Sequence, residues 1–171
     1  MIKRGLFFVS LLLFVVGCGY KPTSVYTKKV LGDRIYVDVS ISKVDPQNSV
    51  LITDAINEAV IDKFKAKLAT KESATSKLHI SLGSTSFKPI QYDENGYVIA
   101  YKTYITLSSR YTDKDGVSKT VHTTGDYDFS IEANSVISDN KRFEAIKFAS
   151  LKAIDELISK ISIRGQKNDN K

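Results

Sequence analysis

Two histidines and a pair of aspartates are the first side chains to consider for catalysis or metal binding. His79 and His122 fall on separate predicted strands, with no carboxylate or second histidine at the spacing of metal ligands. Asp126 and Asp128 flank Tyr127 on another predicted strand, where weak cation binding and ordinary exposure explain them equally well. Glycine-rich phosphate loops, G-x-S-x-G and H-E-x-x-H are absent. The sequence therefore predicts no enzyme, no metal and no cofactor.

Cys18 is the only cysteine, so an internal disulfide is impossible. A catalytic thiol would need a histidine in the same pocket, and the two histidines lie roughly 60 and 100 residues downstream. Small Gly17 stands directly before the cysteine, at the end of an apolar run. This arrangement resembles the lipobox of bacterial lipoproteins, in which the cysteine becomes the first mature residue and carries diacylglycerol and a further acyl chain. The resemblance implies lipidation of Cys18, and two or more acyl chains make a stable membrane anchor.

The residues before Cys18 have the three-part pattern of an export signal. Two basic residues precede residues 6–16, an almost uninterrupted apolar run that is too short to span a bilayer. We therefore predict a lipoprotein signal peptide over residues 1–17. Gly19 follows the cysteine, with no aspartate there to suggest retention at the inner membrane, so we expect the outer membrane as the destination.

The size and charge of the mature chain fit one exported domain. Removing 17 of the 171 residues leaves 154, which is large enough to bury a core without disulfides. Two of the basic residues leave with the signal, so 23 basic less 19 acidic residues give a net charge of +4. That mild positive charge fits an anionic partner such as lipid phosphate, and it equally fits ordinary solubilising charge.

Hydrophobic periodicity divides the mature chain into three parts. Residues 18–32 have no sustained periodicity and are predicted to be a lipidated tether, residues 33–163 a single α+β domain, and residues 164–171 a polar tail. Within the domain we predict strands over about 35–42, 77–88, 97–111 and 117–129, and helices over about 46–69 and 141–162.

This element order, β-α-β-β-β-α, predicts a two-layer α+β sandwich. Two helices with apolar stripes would pack on one face of a four-stranded mixed, mostly antiparallel sheet. The first two strands are joined through a helix, which permits parallel pairing with a right-handed crossover. Turn residues at Asp93–Gly96 and Asp113–Gly116 predict that the last three strands are antiparallel, with the longest hairpin between the last two. The other sheet face would remain uncovered.

Aromatic residues are concentrated on the predicted long hairpin. Strand propensity alone accounts for most of them. Tyrosines on an uncovered sheet face would also suit contact with a protein or glycolipid, because each has an apolar body and a polar tip. The candidate partner-contact residues are Tyr101, Tyr104, Tyr111 and Tyr127.

The whole pattern resembles the lipopolysaccharide-assembly lipoprotein family LptE. The resemblance rests on Cys-Gly-Tyr-Lys-Pro at 18–22, on the element order, and on Gly125–Phe129 followed by Ser138–Asn140 and a last amphipathic helix. It implies a lipid-anchored protein of the outer membrane, with its domain on the periplasmic side or inside a barrel lumen. It further implies that the chain plugs the large β-barrel LptD, helps that barrel fold, and binds lipopolysaccharide on its way to the outer leaflet.

The same resemblance directs attention to basic residues as ligands of lipid phosphate. The turn between the second and third strands carries acidic Asp93 and Glu94, where a basic residue would suit that role. The candidate lipopolysaccharide-binding residues are instead Lys102, Arg110, Lys119, Lys141 and Arg142. The competing hypothesis is a stand-alone outer-membrane lipoprotein, an adhesin or other envelope scaffold, without a barrel partner.

Overall fold

The computed structural model describes residues 23–40 and 66–169, together with residues 53, 54, 57 and 61. The signal peptide, Cys18 and most of the helix predicted over 46–69 lie outside this part. The described elements are α1 (Thr23–Leu31), β1 (Arg34–Ser40), β2 (Lys67–Leu68), β3 (Ser76–Tyr92), β4 (Val98–Thr112), β5 (Ser118–Ser130) and α2 (Asp139–Asp169).

The five strands form one mixed sheet in the order β2-β1-β3-β4-β5. Strand β1 pairs in parallel with both β2 and β3, whereas β3, β4 and β5 are antiparallel. The predicted α+β class and the parallel pairing are confirmed. The predicted strand number of four is wrong, because Lys67 and Leu68 pair with the start of β1. The helix predicted to run to about residue 69 therefore ends earlier.

Both predicted hairpin turns are confirmed, and they have the same construction. The carboxylate of Asp93 accepts hydrogen bonds from the backbone N–H groups of Asn95 and Tyr97. In the second turn Asp113 accepts from two N–H groups in the same way. The fourth residue of each turn is a glycine with φ above +80°, a conformation that disfavours any residue with a Cβ. These two Asp-x-x-Gly turns fix the register of the last three strands.

Strand β3 continues past the point where the sequence predicts that it ends. Pro89 pairs with Tyr101, and the register shifts directly after it, as expected where a proline cannot donate to the ladder. The strand reaches Tyr92, so β3 and β4 form the longest hairpin, and the expectation that β4 and β5 do so is wrong.

The segment predicted as a tether is helical from Thr23 to Leu31 and belongs to the domain. Val30 and Leu31 are buried in the core, and Thr27 shares a buried hydroxyl–hydroxyl hydrogen bond of 2.6 Å with Ser162 of α2. Nine residues are too few for a stable isolated helix. Helix α1 is therefore held by its contact with α2, and the core begins before residue 33.

Helix α2 packs along the sheet through two kinds of residue. The large apolar residues of the predicted stripe are buried, except for Phe143, which is 36% exposed. Between them Ala145, Ala149 and Ala153 are completely buried, and they bring the helix backbone against Gly125 of β5. The helix also continues through Gly165 to Asp169, so most of the predicted tail is helical. Gly165 lies directly against the backbone of Tyr26 in α1.

Candidate interaction surfaces

Within the described residues α2 packs on one face of the sheet, and we call the opposite face the uncovered face; it is lined mainly by hydroxyl and charged side chains. The antiparallel register places these residues side by side on β3, β4 and β5. Tyr104 lies among them and is 42% exposed, and the ammonium group of Lys88 lies 5.2 Å from the centre of its ring. The polar residues of this uncovered face are Lys77, His79, Ser81, Ser84, Ser86, Lys88, Lys102, Thr106, Ser108, Arg110, Thr112, Ser118, Thr120, His122, Thr124, Asp126 and Asp128.

The predicted tyrosine surface does not form on this uncovered face. Tyr101, Tyr111 and Tyr127 alternate with the uncovered residues and therefore lie on the helix-covered side. Tyr111 is 1% exposed, and its hydroxyl accepts a hydrogen bond from Arg164 at 3.3 Å. Tyr111 consequently has no surface for a partner, and of the four candidates Tyr104 alone lies on the uncovered face.

Tyr127 stacks on Phe148 of α2 at 4.9 Å, and Tyr101 contributes to an aromatic cluster beside the start of that helix. The rings of Tyr101 and Phe129 are stacked at 6.0 Å, and Phe87 meets Phe129 edge to face at 6.2 Å. The guanidinium of Arg142 lies over the Phe87 ring at 5.6 Å. An open pocket of about 540 Å³ adjoins the start of the helix, lined by Ser130, Ile131, Glu132, Ser135, Val136, Ser138 and Lys141.

The five basic candidates fall into two separate groups. Lys141 and Arg142 begin α2, at the end of the molecule that carries the β3–β4 turn, and Lys102 lies near that end on β4. Arg110 is eight residues further along β4, or about 27 Å, and Lys119 pairs with Tyr111 beside it. One bound lipid headgroup cannot contact both groups.

The aspartate pair of β5 is engaged by lysines. Asp126 accepts from Lys152 at 2.7 Å, and this hydrogen bond lowers the pKa of Asp126. Asp128 lies 3.4 Å from Lys102, and its hydrogen bond raises the pKa of that lysine. His79 contacts Asp38 at 2.8 Å. Within the described part of the chain, no three or more His, Cys, Asp or Glu side chains are grouped so that they could hold a metal ion.

The outer edge of β5 is covered by charged side chains of α2. The carboxylate of Glu156 accepts a 2.7 Å hydrogen bond from the Thr124 N–H, and Lys160 donates to the His122 carbonyl at 2.8 Å. The same lysine pairs with Glu156 at 2.9 Å. Exposed strand edges recruit other strands unless they are blocked. The Glu156–Lys160 pair thus protects this edge.

The Glu156 contact predicts an acid-sensitive contribution to stability. Lys160 and the Thr124 N–H lower the pKa of this carboxyl below its usual value of 4.5, so its contribution is present above that pH and is lost as the pH falls through the lowered pKa. We expect Glu156→Gln to destabilise the domain at pH 7 by less than about 1 kcal/mol, because the pair is partly exposed.

Urea unfolding at pH 7 and pH 3 measures this difference. The difference in the free energy of unfolding between wild type and Glu156→Gln should be smaller at pH 3 than at pH 7. The control Glu94→Gln, in the exposed turn, should have the wild-type free energy of unfolding at both pH values. A difference in the free energy of unfolding that was larger at pH 3 than at pH 7 would contradict the proposed role of the Glu156 carboxylate.

Comparison with known proteins identifies the family. The sequence matches the model of the family LptE, Lipopolysaccharide-assembly, over residues 36–161. The chain belongs to the LptE family. The match spans β1 to α2, including the aromatic cluster and the uncovered sheet face. A search of curated proteins finds no match to the sequence.

Solved structures share the fold of this LptE-family chain. Rare lipoprotein B from Shewanella oneidensis superposes with a TM-score of 0.55 at 10% identity, covering 80% of this chain and 99% of the other. A lipoprotein from Caulobacter crescentus CB15 gives a TM-score of 0.52 at 9% identity, covering 84% and 96%. In the described part of this chain, neither helix has an apolar stretch that could cross a membrane.

The aromatic cluster and the covered edge of β5 were not expected from the sequence. Phe87 and Phe129 lie on β3 and β5, and the cluster depends on the shifted register between β3 and β4 that brings them together. The sequence feature that could have predicted the cluster is the presence of aromatic residues at the positions of β3, β4 and β5 that face α2.

Proposed function

We propose that this chain is the lipid-anchored partner of an LptD-type outer-membrane β-barrel, that it occupies the barrel lumen, and that it helps to deliver lipopolysaccharide to the outer leaflet. The observation that carries the proposal is the uncovered sheet face. A sheet face on which neither α1 nor α2 packs, and which is lined mainly by serine, threonine and charged residues, suits a polar environment. The lumen of a transmembrane barrel is polar in this way.

The size of the domain supports the same proposal. Strand β4 has 15 residues and is about 50 Å long, while α2 has 31 residues and is about 46 Å long. A two-layer body of this length would extend through a bilayer, which is about 40–45 Å thick with its headgroups. Barrels of 22 strands have a lumen wide enough to hold a plug. The role that we propose is one of binding and positioning, without catalysis.

Lipopolysaccharide contact is best placed at the start of α2. Lys141 and Arg142 are both exposed there, and the N-terminus of a helix favours anions. The aromatic cluster beneath Arg142 and the adjoining pocket offer apolar surface to the same ligand. Lys102 lies on the other sheet face, away from the aromatic cluster and the pocket, and it is paired with Asp128 just as Lys141 is paired with Glu144. We therefore propose Lys141 and Arg142 as the phosphate contacts of this group.

The anchor completes the proposal. Cys18 would carry the acyl chains and hold the domain at the periplasmic leaflet of the outer membrane, beside the barrel that it enters. The covalent lipid is part of the mature protein, and the proposed function needs no cofactor.

Purification from membranes in mild detergent tests the barrel partner. We expect the tagged chain to recover a large outer-membrane barrel protein, and depletion of the chain to reduce surface lipopolysaccharide. Substituting Ser84→Arg together with Thr124→Arg puts unpaired charge on the uncovered face, and it should lower barrel recovery at least tenfold because desolvating such charges is costly.

The control for this experiment is Gln166→Arg, which adds a charge to an exposed position near the far end of α2. It should leave barrel recovery unchanged. Recovery of the wild-type chain without a barrel, together with normal surface lipopolysaccharide after depletion, would favour the stand-alone lipoprotein.

A further inference from the structure

The packing of α1 shortens the link between the lipid and the domain. Five residue steps separate Cys18 from Thr23, where α1 begins, and five steps reach at most about 17 Å. Without α1, the link would run to Arg34 and reach about 55 Å. Helix α1 is fixed by Gly165 and Ser162 of α2. The membrane surface therefore lies within about 17 Å of one particular end of the domain.

This end is defined by the sheet register. Strands β1 and β3 begin there, β4 ends there and β5 begins there. The turn after β4 joins it through the Lys114 N–H, which donates to the Val30 carbonyl at 3.0 Å. We call it the anchor end. The β3–β4 turn and the start of α2 are at the opposite end, about 45–50 Å away along α2 and β4.

Charge is distributed unequally between the two ends. Residues 23–40, 66–79, 110–120 and 161–166 form the anchor end, and ten basic less five acidic side chains give them a net charge of +5. Residues 80–109 and 121–160 form the rest of the described domain. Seven basic less nine acidic side chains give that part −2. Within these described ranges the positive charge is thus concentrated at the end nearest to Cys18.

The basic side chains of the anchor end are available to a surface. Arg34 and Lys67 are neighbours in the parallel β1–β2 pair, and Lys77 begins β3 one strand away. All three are exposed. Within the described part of the chain none of them forms an ion pair within 4 Å, although Lys77 is near enough to Glu72 to help lower the pKa of that carboxyl, whereas Lys28 and Lys114 are paired with Asp33 and Asp115.

We propose that the anchor end is a docking surface for anionic phospholipid headgroups. The proposal rests on the lipidation of Cys18 in the proposed function, and it does not depend on the barrel partner. The field of an anionic membrane decays within about 8 Å at physiological ionic strength. A link of about 17 Å keeps the basic end close to that field, and a 55 Å link would not. In the chain that is not bound to a barrel, lipid anchor and basic surface together orient the long axis of the domain away from the bilayer.

Energy transfer from the lipidated full-length mature protein to vesicles tests the proposal. Cys18 is the only cysteine and its thiol is blocked by lipid, so one introduced cysteine gives a single labelling site. Thr120→Cys places a donor near the anchor end and Asn95→Cys places one in the β3–β4 turn. With acceptor lipid in phosphatidylglycerol-containing vesicles, transfer should be strong from residue 120 and weak from residue 95. Transfer from residue 120 should fall in 0.5 M salt and in phosphatidylcholine vesicles.

Two charge-matched variants separate docking from anchoring. Replacing Arg34, Lys67 and Lys77 with glutamine should lower the ratio of docked to undocked domain by on the order of 100-fold, because each basic residue near an anionic surface contributes about fivefold. The control replaces Lys88, Lys147 and Lys152, which lie outside the anchor end, with glutamine and should leave transfer from residue 120 unchanged. Circular dichroism confirms that both variants are folded.

Each of the other possible results of these experiments refutes a defined part of the proposal. A protein that fails to float with vesicles has no lipid anchor, and both the anchor and the docking surface are then refuted. A protein that floats, but shows equal transfer from residues 95 and 120 or no effect of the first triple variant, refutes docking alone. The barrel partner is judged separately by its recovery from membranes.

Discussion

Replacing Gly125 with alanine is expected to destabilise the domain by about 3 kcal/mol. The added Cβ would overlap the Ala149 carbonyl oxygen and lie 2.7 Å from the Ala153 nitrogen, both backbone atoms of α2. Neither atom can rotate away as the end of a side chain would, so the whole helix must shift from the sheet. Overpacking of this kind typically costs about 1–3 kcal/mol and sometimes more.

Thermal and urea unfolding of the folded chain measure this effect. A loss of 3 kcal/mol corresponds to a fall in Tm of about 6–12 °C for a domain of this size. The matched control is Gly83→Ala, in which the new Cβ meets the Thr106 carbonyl oxygen at 3.2 Å. Both changes restrict the unfolded chain to the same extent, so their difference reports the helix contact. Equal Tm values for the two variants would mean that α2 does not approach β5 so closely.

The Gly125 contact also shows why sequence patterns missed part of the packing. The predicted stripe of α2 was built on large apolar residues, and most of them are buried. Ala145, Ala149 and Ala153 give little hydropathy signal, although their small size sets the distance between helix and sheet. Phe143 has a strong signal and is nevertheless partly exposed. Hydropathy predicts which side of a helix is buried, and it does not predict how closely the helix approaches the sheet.

The strands and turns were predicted well for a physical reason. The Asp-x-x-Gly turns act locally, through an aspartate that binds the N–H groups two and four residues later. Local rules of this kind can be read from a short stretch of sequence. Helix α1 has no such local signal, because it depends on Thr27, Val30 and Leu31 meeting residues more than 100 positions away in α2.

The same distinction applies to the candidate sites. The predicted lipidation site rests on a local pattern around Cys18, and the family resemblance used such patterns together with element order. Predicting where the tyrosines lie requires knowing which sheet face α2 covers. Three of the four candidates lie on the covered side and not on the uncovered face, where they were expected. Grouping the basic candidates requires the pairing register of the strands. That register places Arg110 and Lys119 at one end of the molecule, and Lys141 and Arg142 begin α2 at the other end.

Replacing Gly165 with leucine is expected to release α1 from the domain while leaving the sheet and α2 folded. A Cβ at this position would overlap the Tyr26 carbonyl oxygen and lie 2.9 Å from its carbonyl carbon. Leucine is a better helix former than glycine by nearly 1 kcal/mol, so α2 itself should be favoured. Any loss of stability must therefore come from the contact with α1, whose Val30 and Leu31 contribute about 1.5–3 kcal/mol each when buried.

Hydrogen exchange and vesicle labelling together measure this release. Amides of residues 23–31 should exchange rapidly in Gly165→Leu and slowly in Gln166→Leu, a control that makes a similar change at an exposed neighbour. In the lipidated variant the link to the membrane lengthens from about 17 to about 55 Å, so energy transfer from residue 120 should fall although every basic residue is retained. Continued protection of residues 23–31 would show that α1 tolerates the larger residue, and unchanged transfer after its release would show that basic charge alone, without a short link, holds the domain at the membrane.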